Sequence, residues 1–143
     1  MLTNINLNQK CKKNIAIISV KKIKMNIEFF RDYCIAKKGV TEEFPFGEET
    51  LVFKVMGKMF ALADVDNFES INLKCDPERA MELRAEYEAI NPGYHMSKMH
   101  WNTVAFHSDV DDKMMRDLIN HSYELVFKSL TKKLQNEIVI QNK

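Results

Sequence analysis

Within eight residues the chain places Tyr94, His95, Lys98, His100 and Trp101. A cation, two imidazoles and two large rings are the side-chain types that donate to phosphate oxygens and stack on nucleic-acid bases. Lys74, and further along Lys132 and Lys133, would add phosphate donors to such a surface. Arg79 and Arg84 could extend it, although Glu78, Glu82, Glu86 and Glu88 lie among them. The bland alternative packs Trp101 and Tyr94 under the last helix and leaves Lys98 solvated. A second functional reading uses the same stretch, with Phe44 and Phe46 from an earlier loop, as a groove for a protein segment or a small ligand.

A catalytic constellation is hard to assemble. The G-x-S-x-G elbow, the G-x-x-x-x-G-K phosphate loop, G-x-G-x-x-G and H-E-x-x-H do not occur, and only four glycines are present. Glu42, Glu43, Glu48 and Glu49 have no nearby His or Cys and read as a solvated face. His95 and His100 would point to opposite faces of a strand, so a shared metal needs a bend between them. Cys11, Cys34 and Cys75 show neither pairing nor ligand spacing, which argues for a reducing compartment, and Cys34 and Cys75, at apolar-periodic positions, read as buried free thiols. The expectation is a non-enzymatic cytoplasmic monomer with no cofactor, no metal and no membrane contact.

Charge limits the nucleic-acid reading. The formal net charge of +1 combines a leader, residues 1–24, that holds six lysines and no acid with a remainder of fifteen basic and twenty acidic residues. Affinity for DNA grows with the phosphates that Lys and Arg neutralise, so this body permits only a local patch and weak, salt-dependent binding. The apolar run Ile15 to Val20 is far too short to span a bilayer. The leader therefore reads as a disordered basic extension.

Residues 25–134 read as one α+β domain, followed by a tail, 135–143, that frays after about residue 136. Asn26 caps a first helix to Lys38, closed by Gly39. Residues 41–49 read as a loop. Leu51 to Met56 and Met59 to Asp64 form a hairpin about Gly57-Lys58, a type II′ signal, and Ser70 to Cys75 adds a third strand. Asp76 and Pro77 open a second helix, ended by Asn91-Pro92-Gly93. A strand from His100 to Phe106, with an edge piece at Tyr94 to Met96, precedes a long helix capped by Asp109 or Asp111 and running through Leu130. Lys132 and Lys133 would complement its C-terminal dipole. The order α-β-β-β-α-β(β)-α predicts two layers, an antiparallel sheet with helices packed on it.

Several blocks resemble the MmcQ/YjbR family: Gly39-Val40-Thr41-Glu42-Glu43-Phe44-Pro45-Phe46-Gly47, Thr50 to Val55, Gly57 to Leu62 and Asn72-Leu73-Lys74-Cys75-Asp76-Pro77. The most specific are Pro92-Gly93-Tyr94-His95-Met96 with Lys98, His100-Trp101-Asn102-Thr103-Val104, and Leu118-Ile119 with Ser122-Tyr123 and Leu125-Val126. The resemblance implies a CyaY-like or secretion-chaperone-like fold and the family's description as double-wing DNA-binding proteins. It supplies no catalytic residues.

Overall fold

Helix α1, Ile27–Ile35, starts where Asn26 Oδ1 accepts the Phe29 amide at 2.8 Å and buries Phe30 and Cys34. Gly39, at φ +76, turns the chain out of it. A computed structural model describes residues 25–140, so the leader and the last three residues lie outside the described residues.

Six strands follow: β1 Val40–Glu43, β2 Thr50–Val55, β3 Lys58–Asp64, β4 Ser70–Lys74, β5 Ile90–Pro92 and β6 Trp101–Ala105. They form one sheet in the order β1-β2-β3-β4-β6-β5, with every neighbouring pair antiparallel. Helix α2, Pro77–Glu86, lies between β4 and β5. Helices α3, Asp112–Ser129, and α4, Lys132–Ile140, end the described chain. This is the expected α+β fold, with four helices and a fully antiparallel sheet among the described residues.

Period-two alternation decides which side of the sheet is covered. Leu51, Phe53 and Val55 of β2, Ile71 and Leu73 of β4, and Val104 of β6 join Phe30, Met115, Ile119 and Val126 in the core beneath the helices. Each phenylalanine buried there contributes roughly 1.5–3 kcal/mol. Ser122 of α3 is fully buried in this layer. Its hydroxyl accepts the Lys74 amide at 2.8 Å and donates to the Phe60 carbonyl. The β3–β4 ladder stops at Ala61 and Leu73, so the hydroxyl bridges the two groups that would have paired next.

Several local expectations are corrected. Residues 40–43 are a strand, because Thr41 and Glu43 face away from the core while Glu42 turns back to pair with Arg31 of α1. The turn between β2 and β3 is Met56-Gly57, with φ of 50 and 89, so both central residues are left-handed as a type I′ turn requires. The edge strand is Ile90–Pro92 rather than Tyr94 to Met96, and an edge is where a strand tolerates proline. Asp111 caps α3, whereas Asp109 accepts the Glu88 and Ala89 amides. Residues 137–140 are helical where a frayed tail is expected: α4 continues to Ile140 and buries Ile138, whose side chain lies 3.0 Å from where a Cβ on Gly39 would sit. Lys132 and Lys133 consequently open α4 instead of closing α3, with Thr131 Oγ1 accepting the Leu134 amide at 3.2 Å.

Candidate binding groove

Among the described residues, no helix packs on the other face of the sheet. Val52, Leu62 and Trp101 form a small apolar cluster there, with Met59 and Met96 against it. Trp101 is 7% exposed. It therefore packs on the side away from the helices, neither under the last helix nor presented as a stacking ring.

Next to this cluster lies an open groove of about 540 Å³. Leu62, Asn72 and Thr103, from three adjacent strands, make its floor. Phe46 and Thr50 stand on one side and Tyr94, His95 and Met96 on the other, while Asp64 and Glu69 close the end at the β3–β4 link. Phe46 is 64% exposed and Tyr94 69% exposed, so both rims present large rings to solvent. Exposed aromatics about a concave polar floor are the composition of a recognition surface.

Three sets of bonds hold the Tyr94 rim. The Tyr94 amide donates to Thr103 Oγ1 at 2.9 Å, and that hydroxyl donates to Asn72 Oδ1. The Gly93 amide donates to the Trp101 carbonyl at 2.8 Å, an approach that leaves no room for a side chain at Gly93. Arg84 of α2 donates through Nε to Asn102 Oδ1 at 2.7 Å and through Nη2 to the Trp101 carbonyl at 3.2 Å and to the Lys98 carbonyl. Arg84 thus anchors the loop instead of extending a cationic patch. His95 adopts φ +61, and its ring lies 3.9 Å from that of Tyr94, tilted by 50°. A non-glycine residue in that region costs on the order of 1 kcal/mol and persists where surrounding contacts impose it.

The remaining expected residues sit apart from the groove lining. Lys74 is the register partner of Trp101, so both project from the uncovered face near its β3-hairpin end. Lys98 and His100 are exposed, and Lys98 Nζ donates to the Gly93 carbonyl at 3.4 Å. Lys132 and Lys133 belong to α4, which packs into the helical layer, so they are not brought together with Tyr94 and His95. The thiols of Cys34 and Cys75 are buried, and burial raises both above the ordinary thiol value, Cys34 strongly. Among the described residues no group of three His, Cys, Asp or Glu is placed to hold a metal, and no helix is long and apolar enough to cross a membrane.

Sequence reasoning missed Asp64, Glu69 and Thr103 as lining residues and Arg84 as the loop's anchor. The available signal was the small polar side chain at every second strand position, Ser70, Asn72 and Thr103, on a face that would otherwise carry longer charged residues.

Residues 35–125 match the model of the YjbR family. The chain belongs to the YjbR family. Its YjbR region is 41% identical over 96 residues to the uncharacterised protein YbdF of Escherichia coli O157:H7, an alignment covering 66% of this chain and 79% of that protein. The uncharacterised protein YjbR of Escherichia coli K12 is 31% identical over 101 residues, 70% of this chain and 86% of the relative. Among solved structures, the Deinococcus radiodurans protein DR2400, with a DUF419 domain, superposes with a TM-score of 0.73 at 39% identity, covering 79% of this chain and 87% of that one. The YjbR match includes both groove rims, Phe46 and Tyr94.

Proposed function

We propose that this YjbR-family chain is a non-enzymatic binding module whose working surface is the uncovered sheet face between Phe46 and Tyr94. The observation that carries this reading is the pair of exposed rings flanking a groove of about 540 Å³, within the range of ligand-sized sites. The partner is a protein segment or a small ligand held by apolar contact with the rims and by hydrogen bonds to Asn72 and Thr103. Buried free thiols agree with a cytoplasmic setting. The test is a titration of small aromatic and branched aliphatic molecules into the isotopically labelled full chain, followed by amide correlation spectra. Amides of Leu62, Asn72, Tyr94 and Thr103 move first on this reading. Shifts confined to α2 and α3, or no shifts, overturn it.

A second reading, weak DNA binding, is favoured by two observations: Lys98 is bonded to a backbone carbonyl rather than to a carboxylate, and Lys74 projects from the same face as Trp101. Phosphate contacts would come from Lys74, Lys98 and His100, with Tyr94 as the exposed ring. Binding of a short duplex at low salt should weaken steeply as salt rises and again on Lys98→Ala. Retention that ignores salt, or none at low salt, counts against it.

A further inference from the structure

The groove's charge and length narrow its occupant. Its titratable lining consists of Asp64, Glu69, Tyr94 and His95, and no lysine or arginine is among the residues that line it. Asp64 Oδ1 accepts the Asp66 and Asn67 amides at 2.9 and 3.1 Å, which fixes the carboxylate at the groove end while leaving it exposed. Lys54, the cation on the neighbouring strand of this face, is neutralised by Glu43 at 2.9 Å. Two acids and two exposed rings beside a floor of Leu62, Asn72 and Thr103 suit a cation attached to an apolar framework, through charge and through the ring faces.

Length separates a small cation from a chain. From Thr50 on β2 to Thr103 on β6 the groove crosses three strand-to-strand steps. At about 4.8 Å a step this is roughly 14 Å, which an extended segment of about four residues would fill.

We infer that the groove receives an extended segment of a partner protein, about four residues long, whose central lysine or arginine faces Asp64 and Glu69 while the apolar side chains flanking it contact Phe46, Tyr94 and Met96. This rests on the uncovered face being the working surface. The segment lies across the strands, so its side chains, rather than a continued backbone ladder, give it affinity.

Three blocked five-residue peptides test it against the labelled full chain: leucines at the second and fourth positions, with lysine, norleucine or glutamate at the centre. The lysine peptide is expected to move the Leu62, Asn72, Tyr94 and Thr103 amides and to bind about five- to tenfold more tightly than the norleucine peptide, with the glutamate peptide weakest. Asp64→Asn combined with Glu69→Gln, which keeps shape and the Asp64 acceptor, should bring lysine and norleucine peptides to equal affinity while the unbound spectrum stays dispersed. If all three peptides shift the groove amides with equal affinity, the cationic occupant is wrong and the groove reading stands. If none shifts those amides, the groove reading falls and this inference with it.

Discussion

Arg84 and Asn102 meet at 2.7 Å, Nε donating to Oδ1, and this joins helix α2 to the strand that begins at the only tryptophan. Asn102 is 2% exposed, so its amide oxygen has no access to bulk water in exchange. The same guanidinium satisfies the carbonyls of Trp101 and Lys98. One side chain therefore fixes both the start of β6 and the loop that raises Tyr94.

Arg84→Met keeps the apolar stem and removes the donors. It should destabilise the fold by about 2–3 kcal/mol, because the buried Asn102 oxygen and the Lys98 carbonyl lose the guanidinium donor and the Trp101 carbonyl keeps only the Gly93 amide. Urea denaturation measures this, and hydrogen exchange should show the amides of residues 93–101 opening faster while those of β2 and β3 stay protected.

A Cβ at Gly93 would lie 2.7 Å from Trp101 Cβ and 3.0 Å from the Trp101 carbonyl oxygen. Gly93→Ala should therefore push the Tyr94 rim outward at a cost of about 1–3 kcal/mol. Emission from Trp101 should shift to longer wavelength as Met96 moves off its ring, with denaturation reporting the lost stability.

Ser122→Ala removes the hydroxyl that links the Lys74 amide to the Phe60 carbonyl inside the core. The expected loss is about 1–3 kcal/mol for leaving these groups unpaired, with little volume change. Thermal and urea unfolding check it, and unchanged stability would mean that the ladder recloses without the bridge.

The acid limb of stability should involve Asp109. Amide donors, first Ala89 and then Glu88, hold its carboxyl below the ordinary carboxylate value. The folded value lies beneath the unfolded one of about 3.9. Its contribution is thus fully present above about pH 4 and disappears as pH falls through the folded value. Asp109→Asn should make the stability profile shallower over that acid range, as measured by urea midpoints at successive pH values.

Caps and turns made much of the fold legible. Asn26, Asp76 with Pro77, and the alternation in Ser70 to Cys75 each act through neighbours in sequence, and the structure realises them. Non-local pairing was harder to read. Val40–Glu43 carries two glutamates and resembles a loop until β2 pairs with it and Arg31 neutralises Glu42. Helix α4 begins with two lysines at the end of the dipole that disfavours them, and packing of Ile138 near Gly39 outweighs that cost. At the groove, Tyr94 and His95 stood out by residue type. Phe46 could not be joined to them before the strand order was known, because β2, β3, β4 and β6 separate the two rims.

The most direct measurement of the central claim is the affinity of the aromatic and aliphatic molecules that occupy the groove for a chain carrying Phe46→Ser and Tyr94→Ser together. Both rings are largely exposed, so the fold should hold within about 0.5 kcal/mol per site. The account predicts at least about a tenfold loss of affinity, from the removal of two ring contacts. Undiminished affinity in the folded double variant would contradict it.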